Sequence, residues 1–207
     1  EDGIRDDLVT GVQTCALPIL VAAVALAAVV GGLGHWTWLL LLLAFLGTSH
    51  WATKWRFEEK KARGMSESSD GSRGWKNVVA NGGWPGLIVL MAFFYDAHTA
   101  GLWVFAAAVA VATSDTWASE FGCLDDRVRM ITTLRRCEPG LNGGVSPHGQ
   151  FFAAVGAAMI ALLTLIVAVA TGGSTTGLGP LYVLLAGFLG CQLDSVLDRK
   201  STRLNSS

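Results

Sequence analysis

Residues 99–122 read TAGLWVFAAAVAVATSDTWASEFG, and this stretch decides the fold. The part at residues 99–111 has no charged side chain, which predicts a helix embedded in a membrane. The part that follows, residues 112–122, contains two acids, Asp115 and Glu120. A carboxylate at membrane depth costs roughly 3 kcal/mol unless it is paired, binds a cation or faces water. We therefore interpret both acids as candidates for a functional site.

The composition agrees with a membrane protein. The 207 residues are 52% hydrophobic and only 15% charged, with a mean hydropathy of +0.47, whereas a soluble domain is about 25% charged. The sequence predicts an all-α fold, a polytopic transmembrane bundle of about six helices. The four cysteines lie far apart without a C-x-x-C motif, which favours neither a disulfide framework nor a zinc site. We expect the lipid bilayer as a partner, and no nucleic acid.

Six apolar runs are the predicted spans: residues 20–33, 36–48, 84–95, 99–119, 150–170 and 178–197. The first two are interpreted as two short helices, with one long broken helix as the alternative. Pro85 is predicted to lie in the first turn of the third. The run at residues 84–95 is the shortest, so a re-entrant segment is its alternative.

Both ends of the chain differ from the rest. Residues 1–19 and 198–207 are polar and irregular, and they resemble translated sequencing-adapter sequence. We interpret them as non-native and residues 20–197 as the membrane domain, truncated at both ends. Ordinary disordered termini are the alternative.

The polar loops set the orientation. The loop at residues 54–76 has an excess of Lys and Arg, which predicts the cytoplasmic face. Two crossings separate it from the loop at residues 120–148, and two more separate that loop from Asp194. Counting crossings therefore places Asp115, Glu120 and Asp194 at one cytoplasmic boundary, in what we predict to be a bacterial inner membrane.

Three acids at one boundary predict a divalent cation. Mg²⁺ prefers hard oxygen ligands, usually one or two carboxylates with phosphate oxygens and water. We predict Asp115, Glu120 and Asp194 as its ligands. Asp115 and Glu120 are about 140° apart on an ideal helix, so either the helix breaks near Ser119 or the two acids serve different partners.

Polar and basic groups near these acids suit phosphates. The loop PGLNGGVSPHG, residues 139–149, has glycines whose backbone N–H groups can form an anion nest, and it leads into a helix N-terminus. His148 is either an acid–base group or a structural histidine. Asn142 is predicted as catalytic, and the predicted phosphate and nucleotide contacts are Lys76, Asn77, Asn81, Arg135, Arg136, Gly143, Gly144 and Ser146.

Acids for a metal beside phosphate-binding groups predict phosphoryl or nucleotidyl transfer to a lipid phosphate at the membrane surface. A transporter whose intramembrane acids bind a coupling ion is the second hypothesis, and a membrane protein without catalysis is the third. The sequence has no evident inverted repeat, and its acids lie near one face, which favours the enzyme. The oligomeric state is open.

Four ordered motifs, RGWKNVVANGG, SDTWASEFG, PGLNGGVSPHG and GFLGCQLDS, resemble the domain-of-unknown-function 92 family of integral membrane proteins. The family includes transmembrane protein 19 and a plant phytyl-phosphate kinase. The resemblance implies a polytopic helical fold and, by analogy with the plant members, transfer of a phosphoryl group from CTP or another nucleoside triphosphate to an isoprenoid monophosphate. This sequence departs from the family pattern at Leu141 and after Leu197.

Overall fold

The computed structural model describes residues 20–65, 75–172 and 177–205, and for residues 75–77 and 198–205 it describes the backbone alone. In chain order, the elements of these residues are α1 Leu20–Leu33, α2 Trp38–Lys54, α3 Phe57–Ala62, α4 Trp75–Phe94, α5 His98–Gly122, β1 Arg129–Met130, β2 Gly144–Val145, α6 Pro147–Ala170 and α7 Gly179–Asn205. The predicted all-α class is confirmed, because β1 and β2 together contain only four residues.

Helix α5 lies at the centre and packs against α2, α4, α6 and α7. Small residues allow this close packing, as they do in other membrane bundles. A Cβ on Gly187 of α7 would lie 2.7 Å from the Cβ of Ala110. The core around this contact includes Phe105, Val109 and Ile160, which are at most 1% exposed. Helix α5 therefore holds its acids in a fixed frame.

Within the part of the chain that the structure describes, three helices are long and apolar enough to cross a membrane: His98–Gly122, Pro147–Ala170 and Gly179–Leu197. The apolar helices Leu20–Leu33 and Val78–Phe94 are shorter. Large apolar side chains on the outside of α6, such as Leu162 and Ile166, are more than half exposed, which is the expected surface of a protein surrounded by lipid.

Several predicted boundaries are corrected. Helix α4 begins at Trp75, so Pro85 lies inside the helix and not in its first turn. An interior proline is tolerated in membrane helices, where neighbouring groups satisfy the freed carbonyl. Helix α7 continues past Leu197 to Asn205, so its backbone does not mark the predicted end of the domain. The proposed non-native segment at residues 1–19 lies outside the described residues.

The two polar loops have structure of their own. The first loop contains α3, which follows Arg56 in a left-handed conformation with φ of 50°. The second loop begins after Gly122, where α5 ends, and forms an antiparallel hairpin in which Arg129 pairs with Val145. This hairpin brings the glycine-rich loop back to the end of α5, which creates the site described next.

Candidate functional site

A polar pocket of about 500 Å³ lies where α5, α6 and α7 meet the glycine-rich loop. We call it the polar pocket. Its wall includes the whole loop at residues 139–146, Gly149 and Gln150 of α6, Cys191 and Ser195 of α7, and Arg63 after α3. The volume is within the range of roughly 300–1,000 Å³ that is usual for small-molecule sites.

One face of α5 supplies the rest of the wall. Asp115, Ala118, Ser119 and Gly122 follow one another at helical spacing, so they share this face. Asp115 is exposed, although Ser114 and Thr116 beside it are buried. Asp115 therefore lies in the wall of the polar pocket, and its role at a membrane boundary stays a prediction.

Glu120 faces a different part of the molecule. Its carboxylate accepts a hydrogen bond from Lys60 Nζ at 2.8 Å and another from Thr53 Oγ1 at 2.6 Å. Lys60 is only 2% exposed and also donates to the Ala52 carbonyl at 2.9 Å. We call Lys60, Glu120 and Thr53 the junction cluster. Because α5 is unbroken, the two acids serve different partners, which was one of our two alternatives.

The remaining acid, Asp194, is exposed on α7. Asp194 follows Cys191 by three residues, so it lies near the helix face that carries this pocket-wall residue, but Asp194 is not itself part of the wall in the described residues. No three His, Cys, Asp or Glu side chains in the described ranges are placed to hold a metal ion together. The predicted ligand set of three acids is therefore not assembled in the described residues, and Asp115 is the acid of the three that lines the polar pocket.

The glycine-rich loop takes its shape from its glycines. Gly140 and Gly143 have φ of 86° and 78°, in the left-handed region that favours glycine. The N–H of Gly144 donates to the Leu141 carbonyl at 2.9 Å, and Ile131 N–H donates to the Gly143 carbonyl at 2.9 Å. The N–H of Gly144 is thus used inside the loop. Asn142 is an exposed residue of the pocket wall.

The start of α6 is fixed tightly against α5. Ser146 is its N-cap and accepts a hydrogen bond from Gly149 N–H at 3.1 Å. The Ser146 hydroxyl donates in turn to the Gly122 carbonyl at 3.2 Å. A Cβ on Gly149 would lie 2.9 Å from the Ala118 carbonyl oxygen, so only glycine fits here without a shift. Ser146 therefore has a structural role in addition to its position in the pocket wall.

An acid that the sequence analysis did not single out supports the same helix start. Asp125 is buried, and its carboxylate accepts hydrogen bonds from Arg127 and from the His148 backbone N–H, the latter at 3.3 Å. Burial alone would raise the pKa of Asp125, but the hydrogen bonds from Arg127 and His148 outweigh it and hold this pKa well below its usual range. The chain's own carboxylate thus occupies part of the helix N-terminus that was predicted to bind an anion.

The predicted phosphate-binding residues separate into four groups. Gly143, Gly144 and Ser146 lie in the wall of the polar pocket, whereas Arg135 and Arg136 are exposed on the hairpin and, among the described residues, are not part of that wall. Asn81 lines a different cavity. Lys76 and Asn77 lie in the first turn of α4, where side chains are outside the described residues.

Arg63 is the cationic group that the structure does bring to the pocket wall. It also pairs with Glu59 and Asp126, each at 3.2 Å. Lys60 and Arg63 belong to the loop at residues 54–76, whose basic residues were used only to predict the orientation, and the buried position of Lys60 gives this lysine a structural role as well. Helical spacing within FEEKKAR is the signal that could have placed Lys60 on one face and Arg63 near it.

Comparison with known protein families agrees with this membrane architecture. The model of the integral membrane protein family DUF92 matches residues 15–198, nearly the whole chain. The chain belongs to the DUF92 family. The resemblance that the four sequence motifs indicated is thereby confirmed, and this DUF92 chain is an integral membrane protein in contact with a lipid bilayer.

Two curated relatives are similar to the DUF92 chain. An uncharacterized membrane protein of Methanocaldococcus jannaschii, MJ0933, is 32% identical over 126 residues, which are 60% of this chain and 51% of the relative. Protein PGR of Arabidopsis thaliana is 30% identical over 177 residues, which are 76% of this chain and 62% of the relative. The chain thus spans about half to three fifths of these relatives. No solved structure matches it.

The chemistry available in the polar pocket of the DUF92 chain is that of oxygen and cationic groups. The wall includes Asp115 from α5, Asn142 from the glycine-rich loop, and Arg63 from the end of the α3 segment. Burial raises the pKa of the Cys123 thiol, so this cysteine is not prepared to act as a thiolate nucleophile. The arrangement suits binding of a polar, anionic ligand next to a membrane.

Proposed function

We propose that this protein is a membrane enzyme that transfers a phosphoryl group from a nucleoside triphosphate, CTP or another, to an isoprenoid or other lipid monophosphate. One observation carries the proposal: Asp115, on a membrane-embedded helix, lines a polar pocket whose wall also includes the glycine-rich loop and Arg63. Phosphoryl transfer depends on positioning and on neutralising charge, which is what such residues supply.

Mg²⁺ would be held by Asp115 and Asp194 together with phosphate oxygens of the substrates, and would neutralise charge on the transferred group. Glu120 is not in this set, because its carboxylate is directed to Lys60 and Thr53. Arg63 would stabilise phosphate charge from the α3 side, and Asn142 and Ser119 would orient phosphate oxygens by hydrogen bonds.

The proposed reaction forms one bond and breaks one. An oxygen of the lipid monophosphate attacks the γ-phosphorus of the nucleotide, and the bond between that phosphorus and the β–γ bridging oxygen breaks. The products are a lipid diphosphate and a nucleoside diphosphate, so no other reactant is needed. The pocket lies at the predicted cytoplasmic boundary, where nucleotide arrives from water and the lipid from the bilayer.

The test uses the purified protein in lipid nanodiscs with Mg²⁺, γ-labelled CTP or ATP, and a panel of prenyl monophosphates. We expect labelled diphosphate with one nucleotide, and loss of product in Asp115→Asn. Asp96→Asn is the matched control, because Asp96 is an exposed acid just before the start of α5. Its backbone φ of 48° is a conformation that Asn tolerates. No product from folded protein with any pair would reject the kinase and make ion binding the next measurement.

A further inference from the structure

A second cavity lies on the other side of the junction cluster. It is a groove of about 520 Å³ between α1, α2 and α4. We call it the apolar groove. Nine of its fourteen lining residues are aliphatic or aromatic hydrophobic residues. The groove follows α2 from Leu39 to Thr53, a length of roughly 20 Å at the rise of a helix. One leaflet of a bilayer core is about 15 Å thick, so the groove is as long as one lipid chain.

The polar side chains of the apolar groove are all at one end. Ser49, His50 and Thr53 come from the last part of α2, and Asn81 comes from the first part of α4. The opposite end, near Leu39 and Leu42, has no polar side chain among its described residues. This polarity along the groove matches a molecule with a hydrocarbon chain and one polar head.

Ser49 gives an independent indication of a ligand. It is 3% exposed, and its Oγ has no hydrogen-bond partner among the described residues. Its neighbours on α2 differ: Thr48 donates to the Ala44 carbonyl at 2.7 Å, and Thr53 donates to Glu120. A buried hydroxyl without a partner costs about 1–3 kcal/mol in general, so a partner from a bound molecule is expected at this point.

The polar end of the groove is also next to the proposed active site. Thr53 lines the groove and donates to Glu120, and Ser119, the residue before Glu120, lines the polar pocket. The two cavities therefore flank the same turn of α5. A lipid in the groove would have its head at the level of Asp115 and its chain directed away from it.

We propose that the apolar groove binds the hydrocarbon chain of the lipid phosphate substrate, with Ser49 donating a hydrogen bond to an oxygen of its head group. This proposal rests on the proposed phosphoryl transfer for the identity of the lipid. The space holds one chain, so the protein accepts single-chain lipid phosphates and rejects diacyl lipids of the surrounding membrane.

Photolabelling tests the site without relying on catalysis. The probe is hexadecyl phosphate with a diazirine either at the chain terminus or next to the head group, added to the protein in phosphatidylcholine nanodiscs. We expect the terminal diazirine to label residues around Leu39 and Leu42, and the head-group diazirine to label residues around Ser49. Labelling that is spread over the exposed outer face of α6, around Leu162, would overturn the proposal and indicate surrounding lipid only.

Two neighbouring variants provide the matched comparison. Ala27→Trp places an indole in the groove, whereas Ala28→Trp places one on the exposed side of the same helix, outside the groove. We expect groove labelling to fall at least tenfold in Ala27→Trp, since displacing about two methylene groups already weakens binding roughly tenfold. Ala28→Trp should label like the wild type. Equal labelling in both variants would contradict the proposal.

Kinetics separates this proposal from the proposed function. Ala27→Trp should raise KM for hexadecyl phosphate about tenfold and leave KM for butyl phosphate unchanged, because the short chain does not reach the groove. Selective labelling of the groove without any phosphoryl transfer would support lipid binding in the apolar groove and reject the proposed kinase activity. Phosphoryl transfer without selective labelling of the groove would support the kinase activity and reject lipid binding in the apolar groove.

Discussion

The two acids of α5 lie five residues apart and have opposite surroundings. Asp115 is exposed in the wall of the polar pocket, whereas Glu120 is bound by the buried Lys60 and by Thr53. One acid faces space that a ligand can enter, and the other joins α5 to α2 and α3. The comparison teaches that a carboxylate near membrane depth need not bind a substrate, because the partners of Glu120 lie within the protein.

The largest expected effect is the loss of phosphoryl transfer when Asp115 is replaced. Asp115→Asn should lower phosphoryl transfer about 100-fold or more, because a group that stabilises charge in the transition state is lost. Its unfolding temperature should stay near that of the wild type, since the side chain is exposed. Activity is measured with labelled nucleotide and folding by circular dichroism. Retained activity in Asp115→Asn would remove Asp115 from the site.

Glu120→Gln should have the reverse profile. It leaves the buried Lys60 ammonium without its carboxylate, so we expect the free energy of unfolding to fall by about 3 kcal/mol. Thermal unfolding in detergent measures this effect. The double variant Lys60→Met with Glu120→Gln should recover part of the loss, because the unpaired charge is removed. A stable but inactive Glu120→Gln would return Glu120 to the proposed metal site.

Gly149→Ala tests the contact that supports the polar pocket. The added Cβ would lie 2.9 Å from the Ala118 carbonyl, and overpacking of this kind costs about 2 kcal/mol. Gly83→Ala is the matched control, since no atom lies within 4 Å of a Cβ at that helical position. Chemical unfolding of both variants gives the difference. Equal stability would show that the end of α5 and the start of α6 can separate without cost.

The smallest effect concerns acid stability and Asp125. Its pKa is lower in the folded protein than in the unfolded chain, so its contribution is complete above about pH 4, the ordinary value, and is lost as the pH falls through the lower folded value. Asp125→Asn should cost about 1.5 kcal/mol at neutral pH. The difference in unfolding temperature between wild type and variant should shrink on acidification below pH 4. If the difference in unfolding temperature stays constant below pH 4, ionisation of Asp125 is excluded as the source of the stabilisation.

The sequence by itself determined the fold class and the family of the protein, and the relative directions of two acids on one helix. Apolar runs of helical length define membrane helices because the bilayer leaves few alternatives, and the all-α class and the DUF92 membership follow from them and from the four motifs. Helical spacing also predicted that Asp115 and Glu120 need different partners if α5 is unbroken. These inferences depend only on local geometry and on the solvent around the chain.

Only the tertiary structure decided which polar groups meet. Lys60 and Glu120 are 60 residues apart, and Asp125 reaches the start of α6 across 23 residues. Such contacts depend on how the polar loops fold back on the bundle, and neither periodicity nor composition encodes that path. For the same reason the sequence could not show which polar residues line the polar pocket. In the described residues Arg63 does so, whereas Arg135, Arg136 and Asn81 do not.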